Sequence, residues 1–419
     1  MRFLFLNSVS FLFMILGLNV LVAQESIVDK LIEEGFENIQ YKHSETDTYL
    51  AYENNRYRFE ANALYVVLEH LSQSPVAEHI HVVIKNKDIP YTALHTSQSA
   101  LKMLFKGAIS LDEWLERSSI TLEVDALRKE LKDTKAINSS FYKLDIPVGI
   151  SLNYQLGNFD NPIRLKYKLQ PELYTTLARG AYLTGLYNVP FLFNDYDNYN
   201  ESRFISMHAS KDIRLPYNTF VNLNAGYFFY NRYGVYIDAF KFFNEEKFKL
   251  SFEYKHTQRG VITPDFNFSH YGNYYDIILG GITYRNQKHD SELELKYGQF
   301  NLGDMGYNFS FLRQINEVYI GLFLRKSDLG NLVGFRFVTP LGFKKHLKPT
   351  RVRIRTREYF KLKYNYNGTT PAAYTYDFGE KLFWEIKEYY PSTLKRGLER
   401  MFYPEERLGD MIRGLFLNY

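Results

Sequence analysis

From residue 144 to residue 366, apolar and polar side chains alternate with a period of two, as they do in strands whose two faces meet different surroundings. Ile146, Val148, Ile150, Leu152 and Tyr154 alternate with Pro147, Gly149, Ser151 and Asn153. Ile163, Leu165, Tyr167 and Leu169 alternate with Arg164, Lys166, Lys168 and Gln170, and Phe248, Leu250, Phe252 and Tyr254 with Lys247, Lys249, Ser251 and Glu253. The sharpest case is 350–366. Its odd positions carry Arg351, Arg353, Arg355, Arg357, Lys361 and Lys363, and its even positions Val352, Ile354, Phe360, Leu362 and Tyr364. A helix would scatter both sets, whereas one strand separates a cationic ladder from an apolar face. Glu358 falls on the apolar face and marks a bulge or the end of a membrane-embedded part. Similar alternation recurs at 221–229, 233–239, 293–297, 307–311, 318–324 and 333–337, with less regular candidates at 173–186, 202–212 and 273–285. The total is roughly 13 strands, each close to the ~9 to 11 residues that a tilted membrane strand needs.

The chain before residue 140 has a different period. Leu64, Val67, Leu68 and Leu71 fall on one face of a helix over 60–71 that Pro75 closes, and 28–36 predicts a short helix ending at Gly35. Strands are expected at 38–43, 48–52 and 79–85, the last ended by Asp88-Ile89-Pro90. Ser110 and Glu113 form a capping-box start to a helix through Trp114, 124–133 reads as a charged helix, and 134–138 as a linker. After residue 366, Tyr374, Tyr376 and Phe378 alternate, 382–386 contains Trp384, and 392–403 is helical in pattern. Gly414, Leu417 and Tyr419 stand at the spacings of a closing strand.

Composition narrows the choice. Tyr and Phe number 36 and 34 against two Trp, while hydrophobic residues make up only 45% of the 419 positions. Such aromatic richness at negative mean hydropathy suits strands placed between oil and water, not membrane helices. Arg2 followed by an apolar run to Val22 reads as a secretory signal cleaved after Ala23. With no cysteine there is no disulfide and no thiolate metal site. The net charge of +4 gives no indication of nucleic-acid binding. No later apolar stretch approaches the ~20 residues of a spanning helix, so membrane entry would require a barrel. Counting strands from Ile146, the two longest loops, 187–201 and 258–272, follow the third and seventh strands and emerge on one side. Turns on the other side are mostly short, as on the periplasmic face of outer-membrane barrels.

The sequence carries no G-x-S-x-G, H-E-x-x-H, G-x-x-x-x-G-K-[ST] or G-x-G-x-x-G motif, and no cofactor is expected. His79 and His81 share a strand face and could begin a metal site, but no third ligand is apparent. The basic residues are more informative. In a barrel, Arg164, Lys166, Lys168, Lys247, Lys249 and the 351–363 series would point into the lumen, where they either attract anions or pair with lumenal carboxylates such as Glu253, Glu292 and Glu294.

Glu53-Asn-Asn-Arg-Tyr-Arg58, the 61–71 helix, HIHVVIKNKDIP at 79–90, Lys106–Trp114, Asp212–Pro216 and the aromatic stretch 226–243 resemble the YjbH/GfcD family of outer-membrane proteins. The resemblance implies a barrel made with exopolysaccharide or capsule operons that helps polysaccharide reach or stay at the cell surface, and it carries over no catalytic residue. The expected organisation is a signal peptide at 1–23, a small periplasmic α/β domain at 24–140, a transmembrane antiparallel β-barrel of about 12 to 16 strands at 141–366, and a C-terminal segment at 367–419. Expected partners are outer-membrane lipid, a polysaccharide, the barrel-insertion machinery and periplasmic export proteins. The chain is read as a non-enzyme of a Gram-negative-type outer membrane that conducts or docks an anionic polysaccharide. A non-conducting structural or motility component and an outer-membrane enzyme acting on glycans or lipids remain open.

Overall fold

The alternating part of the chain folds into a sheet of fourteen strands, and the helical spacings before it become helices packed with a separate five-stranded sheet. The computed structural model describes residues 27–156, 163–194, 202–229, 231–263, 265–367 and 387–403. The predicted signal and the segments expected at 374–386 and 411–419 lie outside these residues. Two compact units result: one takes in 27–86, 90–139 and 388–403, the other 87–89 and the described residues of 140–387. No helix among the described residues is long and apolar enough to cross a membrane.

The first unit contains α1 (27–34), β1 (Glu37–His43), β2 (Asp47–Glu53), α2 (Glu60–Gln73), β3 (His79–Asn86), β4 (Ile89–Ser97), α3 (Gln98–Phe105), α4 (Leu111–Arg117), β5 (Ser119–Thr121) and α5 (Asp125–Glu130). Its last element is α6 (Pro391–Phe402). The sheet order is β1-β2-β3-β4-β5. Leu64, Val67, Leu68 and Leu71 of α2 are fully buried, as are Ile80, Val82 and Ile84 of β3 and the Trp114 ring. The capping box at Ser110 and Glu113 is formed in both directions. Helices α2 and α6 meet where a Cβ on Gly397 would lie 2.1 Å from that of Ala61, so glycine there permits the close approach.

The strand at 79–85 ends as expected: β3 stops at Asn86 before a two-residue turn in which Lys87 and Asp88 both take positive φ, and a further strand that the pattern does not predict, β4, follows directly with Pro90 near its start. Two local expectations are corrected. The supposed linker is pinned, because Ile137 and Ile39 exchange backbone hydrogen bonds of 2.7 and 2.9 Å. Helix α5 spans only Asp125–Glu130 of the expected 124–133.

The second unit contains β6 (Leu144–Leu156), β7 (Ile163–Ala178), β8 (Ala181–Asn194), β9 (Arg203–Leu215), β10 (Thr219–Phe228), β11 (Arg232–Phe243), β12 (Phe248–Ile262), β13 (Phe268–Asn286), β14 (Ser291–Gln299), β15 (Met305–Ile315), β16 (Val318–Ser327), β17 (Gly330–Pro340), β18 (Val352–Thr356) and β19 (Tyr359–Asn367). From β6 to β17 each strand pairs with the next. Glycines at facing positions, Gly226 opposite Gly234 and Gly298 opposite Gly306, stand where any Cβ would come within 2.5 Å of a neighbouring carbonyl oxygen. Such paired glycines let strands bend sharply.

Burial follows the alternation, with the usual sense reversed. One unbroken cross-strand row, Leu250, Ile282, Leu295, Phe309, Leu324 and Val333, is exposed throughout. The opposite face carries Lys249, Glu253, Lys255, Glu292 and Lys296, all buried.

The stretch 350–366 is not one strand. Its first part, β18, pairs in parallel with β6, and its second part, β19, pairs antiparallel with β17, at the opposite end of the strand order. Arg357 and Glu358 mark the switch: the Arg357 N–H donates to Val148 O at 2.9 Å, and Glu358 O accepts from Leu341 N–H at 2.8 Å. The break expected at Glu358 is therefore a change of partner. The two long loops are also shorter than the sequence suggests. Strand β8 continues to Asn194, and β12 and β13 take up 258–262 and 268–272, because cross-strand hydrogen bonding continues through aromatic and β-branched residues there.

Candidate functional site

The buried face of β11–β17 and β19 gathers charges of both signs around a cavity of about 70 Å³. Strand alternation puts them there: Asp238, Lys249, Glu253, Glu294, Lys296, Arg336 and Lys363 each sit between two apolar neighbours, so the alternation that turns the apolar side chains outward turns these charges inward. Lys296 Nζ lies 2.6 Å from Glu253 Oε1 and 3.2 Å from Glu294 Oε1, while Lys255 is 3.3 Å from Glu253 and Lys249 is 3.9 Å from Glu294. Arg285 binds Glu292 at 2.6 Å, and Lys387, buried in a single 3₁₀ turn, reaches the same carboxylate at 2.5 Å. Asp238 also lines the cavity, and Arg325, Arg336 and Lys363 form its other wall beside Phe300 and Phe323. Arg336 and Lys363 lie 5.4 and 5.0 Å from the Phe323 ring centre, and Arg325 lies 4.4 Å from that of Phe300. These are cation–π distances. A side chain on Gly334 would collide with Phe323, so the glycine makes room for that ring.

The predicted cations separate into groups. Arg353 clamps Asp145 through Nε at 2.9 Å and Nη2 at 2.8 Å, and Arg355 adds a third contact to the same carboxylate at 2.7 Å. Arg355 also holds Glu358 at 3.1 Å, and Arg357 reaches Glu172 at 3.0 Å. These three arginines thus fasten the β18–β6 junction to carboxylates. They do not line the cavity; among the described side chains of the predicted set, Lys249 and Lys363 do. Arg351 and Lys361 are exposed, and Lys168 is half-buried. Lys247 lies half-buried in the turn before β12, its N–H donating to Asn244 O at 3.1 Å. The side chains of Arg164 and Lys166 lie outside the described residues.

Sequence reasoning missed Lys296, Arg325 and Arg336, although Leu295-Lys296-Tyr297 and Phe335-Arg336-Phe337 carry the same alternation as the residues it chose. No sequence signal places Lys387 beside Glu292.

In the first unit the face shared by His79 and His81 resolves differently from a metal site. His79 is exposed. His81 Nδ1 meets His95 Nδ1 at 2.7 Å, its Nε2 meets Asp47 at 3.1 Å, and its ring stacks on Tyr49 at 4.8 Å. Burial and the His81 ring hold His95 below the usual histidine range. Among the described residues no three His, Cys, Asp or Glu side chains are grouped to hold a metal. Elsewhere in the unit Glu60 is buried with Tyr52 Oη donating at 2.9 Å and Asn54 Nδ2 at 3.1 Å, and burial pushes its carboxyl up to about 8.

These features define a mainly β protein whose large sheet buries charge and exposes apolar surface. The chain belongs to the YjbH family of exopolysaccharide biosynthesis proteins, whose profile matches residues 19–332. No curated protein is matched by the sequence. Membership ties the chain to exopolysaccharide biosynthesis, and the matched range includes the α/β unit from α1 to α5 and the strands from β6 to β16.

Proposed function

We propose that the chain is an outer-membrane β-barrel protein that serves exopolysaccharide export or surface assembly by docking, without acting as an open conduit or as an enzyme. The observation that carries the membrane reading is the reversed burial: an exposed apolar row spans six strands while charged side chains fill the opposite face. Apolar surface of this extent is costly in water and favourable in lipid. Closure is supported by Arg357 and Glu358, adjacent residues hydrogen-bonded to opposite ends of the strand order. A closed sheet leaves no unpaired edge in the bilayer.

Docking is favoured over conduction by the interior. Its cations are drawn to Glu253, Glu294, Glu292, Asp145 and Glu172, and the cavity between β11–β17 and β19, of about 70 Å³, has room for a few waters. In this reading the α/β unit is periplasmic and meets the export proteins, and the barrel-insertion machinery places the chain in the membrane. Two measurements test it together: membrane fractionation of the expressed chain, and planar-bilayer conductance of the refolded protein. Outer-membrane residence with no conductance is the expected result. Soluble fractionation would overturn the barrel, and anion-selective steps abolished by neutralising Arg353, Arg355 and Arg357 would replace docking with conduction.

A further inference from the structure

The loop between β17 and β18, residues 341–351, joins exposed apolar side chains to a run of cations. Phe343 and Leu347 are 74% and 70% exposed, more than any member of the apolar row that crosses the sheet. Lys344, Lys345, Lys348 and Arg351 are exposed beside them, and no acidic residue stands between Asp328 and Glu358. The loop is tied down at several points. Gly342 turns the chain with a φ of 79°, Leu341 N–H donates to Glu358 O at 2.8 Å, and His346 is buried. Arg353, already clamped on Asp145, also donates to Leu347 O at 3.3 Å. Val352 and Ile354 follow at once on β18 and are exposed as well, so the loop continues the apolar face of that strand.

We propose that this loop is a docking surface for anionic phospholipid headgroups at the rim of the barrel. Val352 pairs with Leu144, so β18 begins level with β6 and the loop leaves the sheet at the end where β6 starts. The inference rests on the barrel reading for the bilayer itself, and in that reading this end meets the phospholipid leaflet on the periplasmic side. A headgroup layer accommodates both halves of the composition. Phe343 and Leu347 enter the acyl boundary, while the lysine stems lie along it and their ammonium ends reach phosphate. Charge complementarity selects the anionic class, because basic residues beside a bilayer are drawn to lipids that carry net negative charge. An acidic polysaccharide would meet the cations but leave Phe343 and Leu347 in water, where exposed apolar surface is costly. That difference favours the lipid.

The chain has no cysteine, so Leu347→Cys gives a single attachment point for a fluorophore, with Phe343→Cys as a second should the first fail to refold. The labelled full chain is refolded into phosphatidylcholine vesicles. Quenching is then measured as nitroxide-labelled phosphatidylglycerol or, separately, nitroxide-labelled phosphatidylcholine is added, and the ratio of the two quenching constants gives the headgroup preference. Phosphatidylglycerol should be preferred, and Lys344→Gln and Lys348→Gln should each lower the preference about fivefold. Raised salt should lower it too, since exposed charges are screened. Lys288→Gln, in the turn before β14, should leave it unchanged. Equal quenching by the two lipids, or a preference that survives both lysine variants, overturns the site. Emission that answers to dissolved sodium alginate and to neither lipid assigns the loop to an acidic polysaccharide and overturns it as well. No quenching in a chain that fractionates with the outer membrane overturns this inference alone, whereas soluble fractionation removes the barrel and the inference together.

Discussion

The two units of this chain obey opposite burial rules. In the α/β unit Leu64, Val67, Leu68, Ile80, Val82 and Trp114 are inside and fully buried. In the sheet unit Leu322 and Ile354 are 59% and 63% exposed, while Lys255, Glu253 and Arg232 are buried. The backbone physics is shared, since both units rest on paired strands whose side chains alternate. What differs is the medium that each exposed face is suited to. Apolar burial stabilises the first unit, whereas in the second the buried face depends on pairing charges that cannot reach water.

The comparison can be broken most forcefully from inside the sheet. Glu253→Leu leaves Lys296 and Lys255 buried without their shared carboxylate, and should cost about 3 to 5 kcal/mol in the unfolding equilibrium of the detergent-refolded chain. A change within the error of the wild type would mean that these cations are solvated. Next in size is Leu322→Lys on the exposed face. In lipid vesicles it should cost about 2 to 4 kcal/mol if the residue lies near the bilayer centre. An unchanged equilibrium would place that face in water and remove the contrast.

Glu60 sharpens the other side of the comparison. Its folded carboxyl titrates near 8 against 4.5 for the ordinary group, because burial disfavours the charged form. The sign follows from proton uptake: the folded state binds the proton more tightly, so its contribution is complete below pH 4.5 and is lost as pH rises through 8. Protection of α2 against hydrogen exchange in the full chain should therefore fall between pH 5 and 8, after correction for the intrinsic rate, and Glu60→Gln should flatten that profile. A variant profile parallel to the wild type would remove Glu60 as the cause. The smallest effect is expected at the surface of α4, where Ser110→Ala removes the cap and should cost about 1 kcal/mol, read from local exchange in that helix. No change there would mean that packing alone holds the helix end.

Particular residues show where sequence reading succeeds. The face of Leu64, Val67, Leu68 and Leu71 and the capping box at Ser110 are local patterns, settled within one or two helical turns, and the structure has both. The alternation that marks β12, β14 and β15 is equally local. Sequence reading fails where a partner lies far along the chain. The pattern after the 79–85 strand predicts no partner for it, yet β4 runs from Ile89 to Ser97 through Pro90 beside its hairpin neighbour. The ladder at 351–363 reads as one strand and one electrostatic unit, but Arg353 and Arg355 meet Asp145 more than two hundred positions away, and only Lys363 faces the cavity.

The sequence by itself determined the class of each unit, the faces of its strands and the family to which the chain belongs, because period and motif are properties of neighbouring residues. The tertiary structure alone decided which charges pair with one another, which side chains line the cavity, and that residues 352–367 divide between the two ends of the sheet. Strand register and cross-sheet distance set those outcomes, and neither is encoded in the spacing of residues along one strand.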